Sequence, residues 1–345
     1  MPTVSAGLAA YNGAGGSVTT VVGCAVNDAT HNNIPAAVAA ASAADVVVLA
    51  IGLDQRSAGE GSDRVDMSLP GGQVALATAI LALGKPTVVL VFAGQAVGLD
   101  AVQGLFASAR AAAAAPLALI YAFYPGEGGG MPVAEQLYGG VNRWGKLPIS
   151  LYPNSYATHM PVTDMGMLPN ASTGNVGRTY KYYSGPLLYP FGFGLSYTTF
   201  ALSGSCNVSA AQQPLPEGSG LQCTVNVTNS GPREGDEVVL VFTGPNATSV
   251  AAARQQYSLP DPDPVAIKQV VDFERVSLLA GQSTLLTFQL PFSHLAQVDA
   301  QGNRVVYAGQ HLVRLGRGVG NQDDVVVPVH IARTVLVRKA YDMGL

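Results

Sequence analysis

Charge is what this sequence has least of. Of its 345 residues, 18 are Lys or Arg and 22 are Asp or Glu, 12% in all, against roughly 25% in ordinary globular proteins. The formal net charge is -4 and no basic stripe runs through the chain, which excludes nucleic acid as the main partner. A neutral, polar substrate fits better than a polyanion. Aromatic residues are scarce at 7%, with one tryptophan, Trp144. The three cysteines lie far apart and the five histidines, His31, His159, His294, His311 and His330, show no metal spacing, so no zinc site and no other cofactor is expected. Long apolar runs are missing too. Ala111 to Phe123 is broken by Pro116 and flanked by Arg110, short of the about 20 apolar residues of a spanning helix. It reads as a helix end followed by a buried strand, and no membrane partner is expected. The start, Met1-Pro-Thr-Val-Ser-Ala, has neither the basic nor the apolar region of a signal peptide.

What is present is apolar: 48% of residues, enough for a sizeable core in a chain long enough for two domains. Glycosylation sequons begin at Asn170, Asn207, Asn226 and Asn246 and lean towards a secretory parent. Cys206 and Cys223 flank a turn-rich segment and are a candidate disulfide pair. Cys24 is left over, either a buried free thiol or one whose partner lies upstream.

The first half alternates apolar runs with helical patterns. Strands are expected at Thr19 to Cys24, Asp45 to Gly52, Thr87 to Ala93, Leu117 to Phe123 and Lys146 to Tyr152. Helices are expected at Pro35 to Ala44, Gly71 to Leu83 and Met131 to Tyr138. Runs such as Val46-Val-Val-Leu49, apolar throughout, argue for a sheet buried on both faces. Between Tyr152 and Phe200 the pattern breaks into Pro, Gly and Tyr. Beyond Phe200, short strands are expected at Leu221 to Thr228, Glu237 to Phe242, Val270 to Phe273, Ser283 to Leu290, Gly302 to Val306 and Gln310 to Leu315, a β-sandwich pattern.

The most informative stretch is Gly52-Leu-Asp-Gln-Arg-Ser-Ala-Gly-Glu-Gly-Ser-Asp-Arg-Val-Asp-Met-Ser-Leu-Pro-Gly-Gly-Gln73. In a chain poor in charge it gathers Asp54, Glu60, Asp63, Arg64 and Asp66 between an expected strand and an expected helix. Ligands of open α/β sheets bind just beyond strand C-termini.

This loop, together with Tyr124-Pro-Gly-Glu-Gly-Gly129, Asn142-Arg-Trp-Gly-Lys-Leu-Pro148, Met160-Pro-Val-Thr-Asp-Met165, Gly177-Arg-Thr-Tyr180 and Phe191-Gly-Phe-Gly-Leu-Ser-Tyr197, resembles the C-terminal part of glycoside hydrolase family 3, in its β-xylosidase and α-arabinofuranosidase branch. The segment Gln269 to Val276, then Leu279-Ala-Gly-Gln-Ser283 and Asp299 to Asn303 resemble that family's fibronectin type III-like domain. The resemblance implies a three-layer α/β sandwich domain over 1–165, a connecting segment over 166–199 and a fibronectin type III-like β-sandwich over 200–345. The family's α/β domain has six strands and about five are found, so the chain is expected to begin inside that domain.

The family also has a TIM barrel that supplies the catalytic Asp nucleophile, and no sequence here matches it. The resemblance therefore implies a part of an exo-acting retaining enzyme that cleaves terminal β-xylosides or related pentosides in xylan breakdown. Its substrate in the intact enzyme is an oligosaccharide or aryl pentoside, its partner the missing barrel, and the parent is extracellular or in the secretory pathway. The chain alone is expected to be inactive.

Retaining glycosidases need a second carboxyl group, the acid/base, and the resemblance places it in this α/β domain. Glu60 is the candidate, since flanking glycines let the backbone come close to a ligand. The branch often carries another Glu two residues earlier, where this chain has Ala58. Asp63 and Arg64 read as a pair that fixes the loop, with direct substrate contact the lesser reading. Asp54 reads equally as a contact to a sugar hydroxyl or as a turn stabiliser. Glu127 is the second acid/base candidate, at a position where the family accepts Gln. Two other readings stay open: a non-catalytic module that binds sugar or protein, suggested by Ala58 and the missing barrel, and a nucleotide-binding α/β protein, suggested only by the glycines of 126–130. The tyrosines at 180, 182, 183, 189 and 197 read as packing between domains rather than as a sugar platform.

Overall fold

The computed structural model describes residues 2–13, 15–30, 33–61, 64–112, 115–161, 163–207, 215–246, 265–299, 301–318 and 324–339. The chain divides into two units. One comprises Met1–Val141, Leu151–His159 and Pro186–Tyr189; the other comprises Asn142–Ser150, Met160–Gly185 and Pro190–Leu345.

The first unit is built on three parallel strands, β1 (Val47–Gly52), β2 (Thr87–Phe92) and β3 (Leu117–Tyr121), side by side in that order. Val89, Leu90 and Val91 of the central strand are wholly buried, which is why its sequence shows no polar alternation. Helix α3 (Gln73–Leu81) connects β1 to β2 and α4 (Asp100–Ala111) connects β2 to β3. The two helices pack on each other, as successive crossovers of one hand require. Helix α2 (Ile34–Ala43) packs on α3, and α1 (Val4–Tyr11) packs on α5 (Gly130–Leu137). Thr3 caps α1, its Oγ1 accepting the Ala6 N–H at 3.1 Å. A Cβ at Gly7 would stand 2.3 Å from the Gly130 carbonyl oxygen, so glycine allows the close approach of α1 and α5.

Two of the five strands expected in this half do not form. Residues 19–24 are irregular: Val21 and Val22 are exposed, and the Val22 carbonyl is taken by the Asn33 side chain instead of a neighbouring strand. Residues 146–152 pair only at isolated points, where the Leu147 carbonyl accepts from Gly192 at 2.7 Å and the Leu151 carbonyl from Leu188 at 2.8 Å. Leu147 N–H reaches the Phe193 carbonyl at 2.8 Å, and Leu151 N–H reaches that of Tyr189 at 2.8 Å. Apolar composition without a partner ladder is not enough to make a strand.

The second unit holds the antiparallel sheets. One contains β4 (Phe200–Cys206), β5 (Leu221–Asn229) and β8 (Ser283–Leu290), in the order β4-β5-β8. The other contains β6 (Gly235–Pro245), β7 (Gln269–Leu278), β11 (Gly309–Gly316) and β12 (Val325–Ile331), in the order β12-β11-β6-β7. A smaller sheet is formed by β9 (Gln297–Val298), β10 (Arg304–Val306) and β13 (Val335–Arg338). Val225 and Val227 from the first sheet meet Val239, Val241, Val313 and Leu315 from the second in one core, the packing of a β-sandwich. Cys206 and Cys223 face each other across β4 and β5 and are joined as a disulfide. Cys24 is free and half-buried, its thiol pushed up by burial.

Strand β6 is buried on both faces. Val239 and Val241 point into the sandwich core, while Val238, Leu240 and Phe242 pack against Tyr180 and Phe191. The Tyr180 ring stacks on Phe191 at 4.1 Å, and its hydroxyl oxygen accepts the Val270 N–H at 3.1 Å. At the start of the strand Glu237, 3% exposed, pairs with Lys146 at 2.8 Å. Asn142, also buried, accepts the Ser196 hydroxyl and the Tyr197 N–H, each at 3.1 Å, and donates to the Glu234 carbonyl at 3.0 Å. Among the described residues no helix is long and apolar enough to cross a membrane.

Candidate functional site

Because β1, β2 and β3 are parallel, the loops that follow them, 53–72, 93–99 and 122–129, leave the sheet at one edge. The first carries Asp54, Glu60 and Arg64 and the third carries Glu127. Asp63 lies outside the described residues.

The first loop starts at a position only glycine can hold. Gly52 has φ +148°, and a Cβ there would stand 1.9 Å from the Phe92 carbonyl oxygen. Its backbone is gripped by Gln73, which is 3% exposed. Gln73 Oε1 accepts the Gly52 N–H at 2.6 Å, and Nε2 donates to the carbonyls of Gly52 at 2.8 Å and Val26 at 3.0 Å. The end of the loop is fixed independently. Gly71 and Gly72 lie against Asp28, with Gly72 N–H donating to the Asp28 carbonyl at 2.8 Å.

Asp54 organises the first turn of the loop. Its Oδ1 accepts from Ser57 N–H at 2.8 Å, Ser57 Oγ at 2.9 Å, Arg56 N–H at 3.0 Å and Asn27 Nδ2 at 3.2 Å. The Ser57 donors, backbone first, hold its carboxyl below the usual carboxylate range. Arg64, half-buried, donates to the Ser68 carbonyl. Burial lowers its proton affinity against the opposing pull of Asp66. Asp66 in turn accepts the Ser68 N–H at 2.8 Å and the Ser68 hydroxyl at 2.5 Å, and those donors, the hydroxyl first, hold it ionised. The next residues are tied sideways. Met67 N–H donates to Asn154 Oδ1 at 2.8 Å, Gly98 N–H donates to the Met67 carbonyl at 2.7 Å, and Asn154 N–H donates to Asp100 Oδ2 at 2.8 Å.

Glu60 stands at the tip. It is exposed, next to Gly61 at φ +74°, and among the described residues nothing donates to its carboxylate. The arrangement is a fixed base on both sides of an open carboxylate. The neighbouring wall comes from β3. Tyr121 donates to the Gln95 carbonyl, and burial pushes its phenol up. Phe123 holds φ +52°, uncommon for a bulky residue. Tyr124 Oη donates to the Leu53 carbonyl at 3.3 Å, so the first and third loops touch at their roots. Glu127 is exposed on the third loop.

Among the glycines of 126–130, Gly130 serves close packing, while a Cβ at Gly126 or Gly128 would meet nothing within 4 Å. A Cβ at Gly130 would stand 2.3 Å from the Pro2 carbonyl oxygen and 2.4 Å from that of Thr3. Those acceptors face the start of α5, where a phosphate would need donors. No group of three His, Cys, Asp or Glu able to hold a metal occurs among the described residues.

Sequence reasoning missed Gln73, Asn154 and Asn27 as the side chains that hold the loop. Gln73 was visible in the Leu-Pro-Gly-Gly-Gln run, but its partners lie 21 and 47 positions away.

The glycosyl hydrolase family 3 C-terminal domain profile matches residues 3–197, and a fibronectin type III-like domain profile matches residues 237–319. An exo-1,4-beta-xylosidase of Emericella nidulans is 32% identical over 340 residues, which cover 94% of this chain and 39% of that protein. Beta-D-xylosidase 1 of Arabidopsis thaliana is 33% identical over 307 residues, 81% of this chain and 37% of that protein. Among solved structures, a family 3 exo-beta-xylosidase in complex with a xylobiose aziridine activity-based probe superposes with a TM-score of 0.78 at 30% identity, covering 94% of this chain and 41% of that one. A β-glucosidase from Erythrobacter marinus superposes with a TM-score of 0.73 at 28% identity, covering 95% of this chain and 43% of that one. The chain thus spans about two fifths of the length of these relatives.

Proposed function

Since the chain belongs to glycoside hydrolase family 3, as its C-terminal α/β domain followed by a fibronectin type III-like domain, we propose that it supplies the acid/base half of an exo-acting retaining β-xylosidase. The substrate in this reading is the terminal β-xyloside, or a related pentoside, of a xylan-derived oligosaccharide or an aryl glycoside. The observation that carries it is Glu60, an open carboxylate at the tip of a loop whose two ends are pinned by Gln73 and Asn154.

The carboxyl of Glu60 protonates the glycosidic oxygen as an Asp nucleophile forms a bond to the anomeric carbon. The same carboxylate, now deprotonated, takes a proton from the water that cleaves the glycosyl–enzyme ester. The reading assigns that Asp to the part of the relatives beyond the matched two fifths. Arg64 and Asp54 act on the loop that presents Glu60, and Glu127 is a bystander.

The 345-residue chain alone is expected to release no p-nitrophenol from p-nitrophenyl β-xyloside. In the longest native form of the protein, Glu60→Gln should lower turnover about 10²- to 10⁴-fold while Glu127→Gln stays near the parent. The opposite pattern would move the acid/base to Glu127. Ala58 favours a second reading, a family member without catalysis, which predicts that the longest form is inactive and indifferent to Glu60→Gln. The disulfide between Cys206 and Cys223 supports a secretory or extracellular location. Detection of N-glycans on the secreted protein would test that location.

A further inference from the structure

Residues 160–161 and 163–178, which the proposed chemistry does not use, border an open cavity of about 440 Å³ lined by Pro161, Thr163, Asp164, Met165, Asn170 and Thr173. We propose that this cavity is a second binding site for a short neutral oligosaccharide, a xylo-oligomer if the reading above holds.

The volume falls in the range of ligand pockets. Its described lining offers two hydroxyls, an amide and one carboxylate, but no Lys or Arg, which suits a neutral polyol and not an anion. Asp164 is held ionised, first by the Thr173 hydroxyl and then by the Gly166 N–H at 2.7 Å. Each of its oxygens keeps lone pairs for sugar hydroxyls. Met165 is 85% exposed. Its thioether chain is an unbranched apolar surface able to follow the C–H face of a sugar ring.

The walls are fixed before any ligand arrives. Arg178 donates from Nη2 to the Asp164 carbonyl at 2.6 Å and from Nε to the Gly166 carbonyl at 3.1 Å. Buried Asn175 donates to the Gly166 carbonyl at 2.9 Å and accepts the Gly177 N–H at 2.8 Å. Its own carbonyl accepts the Asn170 N–H at 2.7 Å. Two motifs singled out in the sequence, 160–165 and 177–180, thus meet in one prearranged concavity. Preorganisation reduces the ordering cost of binding.

The test is a calorimetric or NMR titration of the 345-residue chain with xylotriose. Saturable binding is expected. Asp164→Asn keeps an acceptor for Gly166 and should weaken it about tenfold. Met165→Ala, at an exposed position and so without effect on folding, should weaken it about threefold. Glu60→Gln should leave it unchanged, which separates this site from the loop after β1. Absence of binding, or binding indifferent to both cavity variants, overturns the proposal. Binding lost only in Glu60→Gln also overturns it while leaving the proposed acid/base standing. An N-glycan found on Asn170 of the native protein would fill the cavity and overturn it as well.

Discussion

Replacing Gln73 by Leu tests whether the loop that presents Glu60 is held by one buried amide. Gln73 is 3% exposed and makes three hydrogen bonds to backbone groups of Gly52 and Val26. Leucine keeps the bulk and strands a buried N–H and a buried carbonyl at Gly52. At about 1–3 kcal/mol for each of the two stranded groups, the loss is about 2–6 kcal/mol, a large share of the roughly 5–15 kcal/mol of a whole domain. For a unit of this size that corresponds to a fall in Tm of about 10 °C. Two optical probes separate the units. Among the described residues, all helices of eight residues or more belong to the first unit, whereas the only tryptophan of the sequence, Trp144, belongs to the second, edge-on to Tyr197 at 5.6 Å. The helical circular-dichroism transition should drop by that amount while the Trp144 fluorescence transition stays in place. Gln73→Glu should be as damaging, because a carboxylate accepts but cannot donate to the two carbonyls. A shift of less than about 2 °C, or an equal shift of both probes, would refute the reasoning.

Further outcomes follow from the second unit, each read by the Trp144 transition. Lys146→Met strands the buried carboxylate of Glu237 and should cost about 3–5 kcal/mol, whereas Lys146→Met with Glu237→Leu should recover most of it; equal losses would show that the stranded charge is not the source of the cost. His311 is wholly buried and burial lowers its proton affinity, against a weaker opposing bond from Nε2 to the Tyr307 carbonyl at 2.8 Å. The unfolded chain therefore binds the extra proton first, and stability falls as pH drops below about 6.5, by at most about 1.4 kcal/mol per unit. His311→Leu should flatten that slope. Replacing Cys206 and Cys223 together by Ser opens a 17-residue separation and should remove about 3 kcal/mol, seen as a lower midpoint in urea.

Much of the fold was legible where burial follows a simple period. β8 spans the expected Ser283 to Leu290, and β2 and α3 lie within or close to their expected bounds. The failures at 19–24 and 146–152 have one cause: strand formation needs a partner ladder, and a sequence displays only the side chains. At the site, the charged loop announced itself by contrast with its surroundings, and Asp54 showed the turn chemistry of a short carboxylate. What did not show was the support. Gln73, Asn154 and Asn142 are ordinary amides whose importance lies in buried backbone groups far away in sequence. Likewise Tyr180 read as a packing residue, but nothing in its irregular segment showed that it and Phe191 cover the outer face of β6.

That cover has a consequence for how β6 finds its place. In a strand with one wet face, sliding by a single residue turns its oily side chains to water, and the slip is rejected at once. Val238 to Phe242 has no wet face, so the shifted alignment would still bury every one of them. Charge at the start of the strand distinguishes the two, because Glu237 is answered by Lys146 and Asp236 by Arg275 in one alignment alone. The pair of Glu237 with Lys146 then acts as an index mark rather than as a brace. A Glu237→Leu, Lys146→Met chain should match its parent in equilibrium stability yet refold with a larger trapped, misaligned fraction, visible as a slow phase in Trp144 fluorescence. Parent-like refolding in a single phase would remove that role from the pair.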